Sequence, residues 1–360
     1  MTTLPETLPA LSGSPTLHDV ARRAGVSPMT VSNVINGKSG VRPVTRQRVL
    51  DAVAATGYRV NPVARALAGG RNRMICVYSP QLNQPYAFEV IHGAARAAEA
   101  LNYDLAVMVL SESSSSVLSV VSQLSVGALL IQPGLSGPVR PASLPPHVVS
   151  VDGPGERRLT VDNYGGAALA MKHLLGLGHT RIAFVSGLGA GGLDSGDLGA
   201  ERQQPSRRVA GREDRDAAER LRGYLEGMAA AQLQVPRGYV QHGDYLKASG
   251  EQAARRLLDL KRPPTAIFAS GDAMALGVVH VAQNRGLSVP ADLSVVGFDD
   301  LPIASASRPS LSTVRQPIQL LGETAVKMIV ELAAGQDPPP PPPFPTELIV
   351  RESTAPPAPP

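Results

Sequence analysis

Three charged residues stand where the sequence predicts strand ends and a helix start. Asp152 ends the apolar run HVVSVD, Asp272 follows the run TAIFAS, and Arg220 opens the helical segment RLRGYLEG. In open parallel sheets the ligand crevice lies beyond the carboxyl ends of the strands. Carboxylates and a guanidinium fixed there suit a polyol, because each hydroxyl both donates and accepts hydrogen bonds. The alternative for Asp272 and Arg220 is a structural ion pair at a helix start.

The sequence lacks the motifs of common catalytic and metal sites. It contains no GxSxG, Walker A or HExxH sequence. Its single cysteine excludes an internal disulfide and a Cys-rich zinc site. The histidines His92, His173, His179 and His280 show no metal-ligand spacing. We therefore expect no catalytic residue, no metal and no cofactor.

Charge is distributed unevenly along the chain. The 360 residues carry a net charge of +4, but residues 14–73 contain ten Lys and Arg against two Asp, which leaves the remainder net negative. A small basic region on an acidic body is expected to bind a polyanion, although charge alone does not choose between DNA, RNA and a membrane surface. No apolar run is long enough to span a membrane, and Met1–Pro15 lacks the features of a signal peptide. We expect a soluble, cytoplasmic protein.

Three short helices are predicted within residues 16–60. Thr16 and Asp19 form a capping box at the start of the first helix, and Gly25 ends it. The pair Ser27-Pro28 then begins a second helix with a serine cap and a proline in the first turn. A third helix starts near residue 45. Three short helices with a tight glycine turn predict a helix-turn-helix domain.

Residues 74–354 alternate short apolar runs with helical stretches, which predicts doubly wound parallel sheets. The stretch is long for one sheet, so two similar subdomains are expected, with a ligand cleft between them. Three segments lie outside these two predicted domains: a flexible leader (1–15), a hinge helix and linker (61–73) and a tail (355–360). Within residues 74–354, two stretches do not fit a packed domain: an exposed insertion (187–215) and a stiff extended linker (Pro338–Pro343).

The sequence resembles the LacI/GalR family of bacterial repressors over residues 16–354, apart from the insertion. The resemblance is carried by TLHDVARRAGVSPMTVSNVING, RVLDAVAATGYRVNPVARALAGG, GDAMALGVV and LSVVGFDDLPIAS. It implies an all-α helix-turn-helix head and an α/β body of two doubly wound parallel-sheet subdomains of periplasmic-binding-protein type. The chain would cross between these subdomains near residues 161, 315 and 345. It also implies a homodimer on palindromic operator DNA.

The resemblance further implies which head residues contact DNA. Pro28, Met29 and Asn33 take positions that point at base edges, and an amide such as that of Asn33 bonds adenine N6 and N7 as a pair. Many members of the family carry a basic residue there, so the operator preference should differ. Met29 would contact a thymine methyl group, unless it packs inward. The predicted DNA contacts are Ser27, Pro28, Met29, Thr30, Ser32, Asn33, Asn36, Ala64 and Leu67.

Within this set, the hydroxyls of the second helix suit phosphate contacts. Leu67 takes the position of an apolar wedge that opens a base step from the minor groove, and the small Ala64 lets the hinge helix approach the groove floor. The alternative for Leu67 is that it packs against the body of the chain.

The resemblance also implies an effector site. Asp152, Arg220 and Asp272 would bond ligand hydroxyls or carboxylates, and Tyr245 would stack on a ligand ring unless it packs in the core. The pair Asp299-Asp300 ends a strand at a crossover in this family, so we interpret it as structural. The predicted effector contacts are Tyr86, Asp152, Arg220, Tyr245, Asp272 and Gln316.

We therefore predict a transcriptional regulator, a repressor of carbohydrate genes whose operator affinity is controlled by a sugar or sugar derivative. The alternative is a sugar-binding receptor, or a sugar-converting enzyme, with an accessory DNA-binding module. The sequence leaves open the effector, the operator sequence, the choice between induction and co-repression, and the choice between dimer and tetramer.

Overall fold

The computed structural model describes residues 15–59, 73–79, 84–109, 120–131, 144–153, 155–187 and 215–358. They belong to two compact units, the head and the body, whose boundary falls between Arg71 and Asn72. The predicted DNA contacts Ala64 and Leu67 lie outside the described residues, as do almost all of the predicted hinge and insertion. Among the described residues, no helix combines the length and the apolar composition that a membrane crossing requires.

The head contains three helices, α1 (Leu17–Ala24), α2 (Pro28–Ile35) and α3 (Pro43–Thr56). Both hydrogen bonds of the capping box at Thr16 are present, and Gly25 ends α1 in the left-handed conformation that glycine adopts without strain. The Ser27 hydroxyl caps α2 by accepting from the backbone N–H of Thr30 at 3.2 Å. Helix α3 begins two residues earlier than predicted, because Pro43 occupies its first turn. Buried valines and alanines join the three helices in one small core.

The body alternates strands and helices. In chain order it contains β1 (Met74–Ser79), α4 (Pro85–Ala100), β2 (Asp104–Val109), β3 (Ser125–Ile131), β4 (Val148–Val151), β5 (Arg158–Leu159), α5 (Asn163–Gly176), β6 (Ile182–Ser186), α6 (Arg215–Ala230), β7 (Val240–His242), α7 (Lys247–Leu258), β8 (Ala266–Ala269), α8 (Asp272–Asn284), β9 (Ser294–Asp299), α9 (Pro302–Ala306), β10 (Ser312–Arg315), α10 (Ile318–Ala333) and β11 (Glu347–Ile349).

These strands form two sheets, and each sheet is the centre of one subdomain. The first sheet has the order β2-β1-β3-β4-β5 and the second has the order β11-β10-β9-β8-β6-β7. All pairings are parallel except that of β11 with β10. The predicted fold class, a helical head with two parallel-sheet α/β subdomains, is therefore confirmed.

Three connections cross between the subdomains. The chain leaves the first subdomain between β5 and α5, which we call the first crossover, and returns between β10 and α10. Helix α10 packs against α4 and contributes to the core of the first subdomain. The chain then crosses a third time between α10 and β11.

Two glycines let α4 and α10 pack with their backbones in contact. A Cβ atom added at Gly93 would lie 1.9 Å from the carbonyl oxygen of Gln319, and one added at Gly322 would lie 2.0 Å from that of Val90. Backbone atoms cannot yield as the tip of a flexible side chain does, so any larger residue must push the helices apart.

We expect Gly93→Ala to destabilise the body by about 1–3 kcal/mol, the usual cost of overpacking. Gly176→Ala is the matched control, because Gly176 is also helical and an added Cβ would meet nothing within 4 Å. Since alanine favours helices over glycine, the control should be neutral or stabilised by up to about 1 kcal/mol. Urea unfolding followed by circular dichroism measures both variants, and equal effects would contradict the close contact.

Candidate functional site

A cavity lies between the two subdomains of the body, beyond the carboxyl ends of strands from both sheets. It encloses about 490 Å³ of space between its lining atoms, part of which is open to solvent. The cavity is lined by Gln84, Pro85, Tyr86, Asp152, Asp216, Arg220, Tyr245, Ala273, Asp299 and Leu301.

Arg220 is the buried cation of this lining. Its Nε donates to Oδ1 of Asn163 at 2.7 Å, and one terminal nitrogen donates to the carbonyl of Ser270 at 2.6 Å. The same nitrogen lies 3.9 Å from Oδ1 of Asp299, and the guanidinium carbon sits 3.7 Å from the centre of the Phe298 ring. Burial alone would lower the pKa of Arg220, but the surrounding acidic groups outweigh it and raise the pKa. The charge of Arg220 is therefore held in place from several sides.

Asp299 and Asp300 have different environments, although they are neighbours in the sequence. The buried Asp299 lines the cavity and accepts a hydrogen bond from the amide of Gln316. Asp300 is paired with Arg315 and Arg351, each at 2.7 Å, and ties the end of β9 to β10 and to the chain after β11. The structural interpretation fits the contacts of Asp300, whereas Asp299 belongs to the site. Burial raises the pKa of Asp299 to about 6, although Arg220 partly opposes the shift.

Asp216 is a lining residue that the sequence analysis missed. It lies in the first turn of α6, four residues before Arg220, so the two side chains share one face of the helix. Its carboxylate accepts from Arg158 at 2.7 Å, Thr160 at 3.0 Å and Asn163 at 2.6 Å. Arg158 belongs to the first subdomain, so this ion pair joins the two subdomains at the edge of the cavity. The spacing of Asp216 and Arg220 was the one available signal for it.

Tyr86 and Asp152 form the wall contributed by the first subdomain. Tyr86 lies in the first turn of α4, and Asp152 directly follows β4. The Tyr86 hydroxyl donates to Oδ2 of Asp152. Burial and the charge of Asp152 raise the pKa of Tyr86 well above its ordinary value, so the phenol keeps its proton. A ligand hydroxyl that uses the same carboxylate oxygen must share it with Tyr86.

Backbone strain is concentrated at the cavity. Six non-glycine residues among the described ones have positive φ, and three of them line it: Asp152 at 52°, Tyr245 at 65° and Asp299 at 120°. Such conformations are costly and cluster at ligand sites, where surrounding structure enforces them. Tyr245 is held against the backbone of Gly187, where an added Cβ would lie 1.9 Å from the ring. The glycine therefore sets the place of the aromatic ring.

The structure brings four of the six predicted effector residues into the cavity lining: Tyr86, Asp152, Arg220 and Tyr245. Gln316 is not in this lining, because its amide is turned to Asp299 and it faces a separate opening.

The prediction that Asp272 lines the cavity must also be corrected, because this residue is fully buried and both of its carboxylate oxygens accept hydrogen bonds within the protein. One accepts from the Thr313 hydroxyl at 2.5 Å and the other from the backbone N–H of Leu301 at 2.8 Å. Neither of these two hydrogen bonds is the ion pair with Arg220 that the sequence left open as an alternative. Asp272 therefore fixes the position of the lining residue Leu301 and does not itself line the cavity.

The predicted DNA contacts of the head lie on or beside α2. Val31 and Val34 are buried in the core of the head, whereas the side chain of Met29 is 69% exposed. The alternative that Met29 packs inward is therefore wrong. Asn33 follows Met29 by four residues and is half-exposed, so both lie on the same face of the helix. Near the ends of α2, the Ser27 and Thr30 hydroxyls are 2.9 Å apart and the Asn36 amide donates to the Ser32 hydroxyl at 3.2 Å. Pro28 occupies the first turn and is half-buried.

Comparison with known protein families matches the head and a large part of the body to separate family models. The model for bacterial regulatory proteins of the lacI family matches residues 16–61, and the model for a periplasmic binding protein-like domain matches residues 171–354. Catabolite control protein A of Priestia megaterium is 32% identical over 88% of this chain and 92% of its own length. The transcriptional repressor CytR of Escherichia coli K12 is 30% identical over 94% of this chain and 96% of its own length.

Solved structures resemble the chain over nearly its whole length. The lac repressor dimer bound to operator and the anti-inducer ONPF has a TM-score of 0.77 at 28% identity, covering 95% of this chain and all of that one. The complex of the regulator CelR with cellobiose has a TM-score of 0.65 at 28% identity, covering 94% of this chain and 99% of that one. Both the head and the body are included in these matches.

We expect the free energy of unfolding of Asp299→Asn, relative to that of the wild type, to increase as the pH rises from 4 to 7. The folded wild type binds the Asp299 proton more tightly than the unfolded chain does, because its pKa is raised to about 6 from 3.8. The contribution of Asp299 to wild-type stability should therefore fall as pH rises through this range, and the variant lacks that loss.

Thermal unfolding at several pH values measures the difference between the variant and the wild type. Asp104→Asn, at an exposed position of β2, is the control. A difference between Asp299→Asn and the wild type that is the same at pH 4 and pH 7 would show that burial of the Asp299 charge carries no cost.

Proposed function

Because the chain belongs to the LacI family of bacterial regulatory proteins, we propose that it is a homodimeric, cytoplasmic repressor of carbohydrate genes. The chain is a DNA-binding transcriptional regulator rather than an enzyme. Its relatives are regulators, and they match it over both the head and the body. The observation that carries the proposal is the combination of a helix-turn-helix head with a cavity at the subdomain boundary of the body whose lining includes charged side chains. This combination favours a regulator over a receptor or a sugar-converting enzyme, because neither of those needs the head.

On the DNA side, α2 is proposed to read base edges in the major groove. Its exposed face presents Met29 and Asn33 one helical turn apart, which suits contacts to neighbouring base pairs. Ser27, Thr30 and Ser32 are proposed phosphate contacts, and Ala64 and Leu67 remain predicted minor-groove contacts. A palindromic operator follows from the two-fold symmetry of the proposed homodimer.

On the effector side, the cavity is proposed to bind an uncharged, hydroxyl-rich molecule such as a sugar. Among the described lining residues, three carboxylates (Asp152, Asp216 and Asp299) face one guanidinium, Arg220. Carboxylates accept hydrogen bonds from hydroxyls, and Tyr245 offers a flat face for the apolar side of a sugar ring. A phosphorylated sugar would bring negative charge beside these carboxylates in a partly dry site, which is unfavourable. The structure of CelR with cellobiose supports a sugar as the effector class.

We expect Asn33→Ala to weaken operator binding by about 1–3 kcal/mol at one base pair per half-site and to leave the preference at other positions unchanged, because one bidentate base contact is lost. The operator is first selected from random duplexes, and fluorescence anisotropy then compares both proteins on single-base operator variants. A uniform loss on all duplexes, together with a shallower salt dependence, would instead identify Asn33 as a phosphate contact.

We expect Tyr245→Ala to weaken binding of the effector sugar about tenfold, which corresponds to about 1.4 kcal/mol. Tyr245→Phe should bind like the wild type, because it keeps the ring and loses only the hydroxyl. Thermal-shift titration with free sugars and their 6-phosphates identifies the effector and compares the variants. An equal loss of affinity in both variants would show that the Tyr245 hydroxyl contributes to binding and that stacking on the ring does not. Binding of the phosphate esters alone would contradict the proposed effector class.

A further inference from the structure

The third connection between the subdomains contains six consecutive prolines, Pro338–Pro343. Their exposure repeats every three residues: Pro338, Pro341 and Phe344 are half-buried, and the residues between them are exposed. A polyproline II helix has three residues per turn, so this pattern is that of such a helix with one edge against the protein. The cis peptide bonds of the described residues precede Pro290 and Pro309, so the polyproline bonds are trans, as this helix requires.

This segment is much stiffer than an ordinary connection. Each pyrrolidine ring fixes φ of its own residue and restricts the residue before it, so almost every backbone angle in the run is constrained. Six residues in a polyproline II helix span about 19 Å, whereas six residues of a glycine-rich coil have a preferred end-to-end distance of about 13 Å. The prolines therefore hold the two ends of the segment apart, where a flexible chain would draw them together.

The two ends of the segment are bonded to residues 157–162, a stretch that contains β5 and the first crossover. Before the prolines, Asp337 pairs with Arg157 at 2.6 Å. After them, the backbone N–H of Phe344 donates to the carbonyl of Thr160 at 2.9 Å, and the N–H of Asp162 donates to the carbonyl of Phe344 at 2.8 Å. The stiff segment is therefore bonded at its far end to the first crossover and at its near end to the residue that precedes β5.

The first crossover and the residues on either side of it also hold the wall of the cavity. Arg158, Thr160 and Asn163 all donate to the carboxylate of Asp216, and Asn163 accepts from Arg220. A rotation of one subdomain against the other must bend this crossover, and the segment bonded alongside it must bend as well. The stiffness of the prolines is thus connected to the groups that line the cavity through a few hydrogen bonds.

We propose that Pro338–Pro343 is a strut that limits rotation between the two subdomains and so keeps the cavity walls at a fixed separation before any effector binds. The strut replaces what would otherwise be a flexible third crossover. Its contribution is mechanical. The prolines do not line the cavity, and their ring-constrained backbone narrows the range of subdomain orientations. This inference concerns the body alone, so it goes beyond the proposed function and is tested without operator or effector.

The test softens the strut in the full-length protein. In the variant, glycine replaces the four exposed prolines, Pro339, Pro340, Pro342 and Pro343, whereas the inward-facing Pro338 and Pro341 are kept. Spin labels are attached at Glu99→Cys on α4 and Arg256→Cys on α7, both exposed and in different subdomains. The native Cys76 is buried and does not compete for the label. Labelled chains are diluted with unlabelled chains, so that distances within one chain are measured by pulsed electron resonance.

The distance distribution of the glycine variant should be at least twice as broad as that of the parent, with a similar melting temperature. The same four positions changed to alanine should give an intermediate width, because alanine restricts the backbone more than glycine and less than proline. Equal widths in all three proteins would overturn the strut, whether or not the melting temperature changes. If the glycine variant does not fold, Pro342→Gly with Pro343→Gly is used instead. Failure of that variant to fold would also overturn the proposal, since the prolines would then be needed for folding itself.

Discussion

The body of this protein depends on keeping one buried positive charge satisfied. Arg220 is almost fully buried, and a guanidinium in that position is tolerated only with acceptors around it. The carbonyl of Ser270 and the amide of Asn163 supply two of them, and Asp299 supplies the opposing charge. These groups come from the start of α5, the end of β8 and the end of β9, so the arginine fixes three strand-end loops against each other. The cavity has defined walls because these loops cannot move independently.

The local features of the chain were predictable because they depend on neighbouring residues. The capping box at Thr16, the serine cap at Ser27 and the left-handed Gly25 are all determined within one helical turn, and the structure has them as predicted. Alternation of apolar runs and helical stretches was likewise sufficient for two parallel α/β subdomains. Resemblance to a known family added the order of the parts and the residues of the exposed face of α2.

The cavity residues were harder to predict, because which aspartate faces a ligand depends on contacts distant in sequence. Asp272 and Asp299 both follow apolar strands, and neither sequence context distinguishes them. The carboxylate of Asp272 accepts hydrogen bonds from the Thr313 hydroxyl and the backbone N–H of Leu301, which lie 41 and 29 residues further along the chain. The backbone of Asp299 has a positive φ, which the neighbouring residues do not predict, and its side chain lines the cavity. Asp272 was predicted to face the cavity, whereas Asp299 is the member of this pair that lines it.

The hydrogen bonds already present in the cavity explain how it can discriminate among effectors. Three carboxylates of like charge line a partly buried space, and each is stabilised by donors of the protein: Tyr86 for Asp152, Gln316 for Asp299, and Arg158 with its neighbours for Asp216. A hydroxyl-rich ligand adds donors to this set at little electrostatic cost, whereas an anionic ligand adds another acceptor where acceptors are already in excess. Because Asp216 joins the two subdomains through Arg158, a ligand that competes for this carboxylate also acts on the contact between them. In the proposed function, the carboxylate of Asp216 therefore links recognition of the effector to the contact between the subdomains.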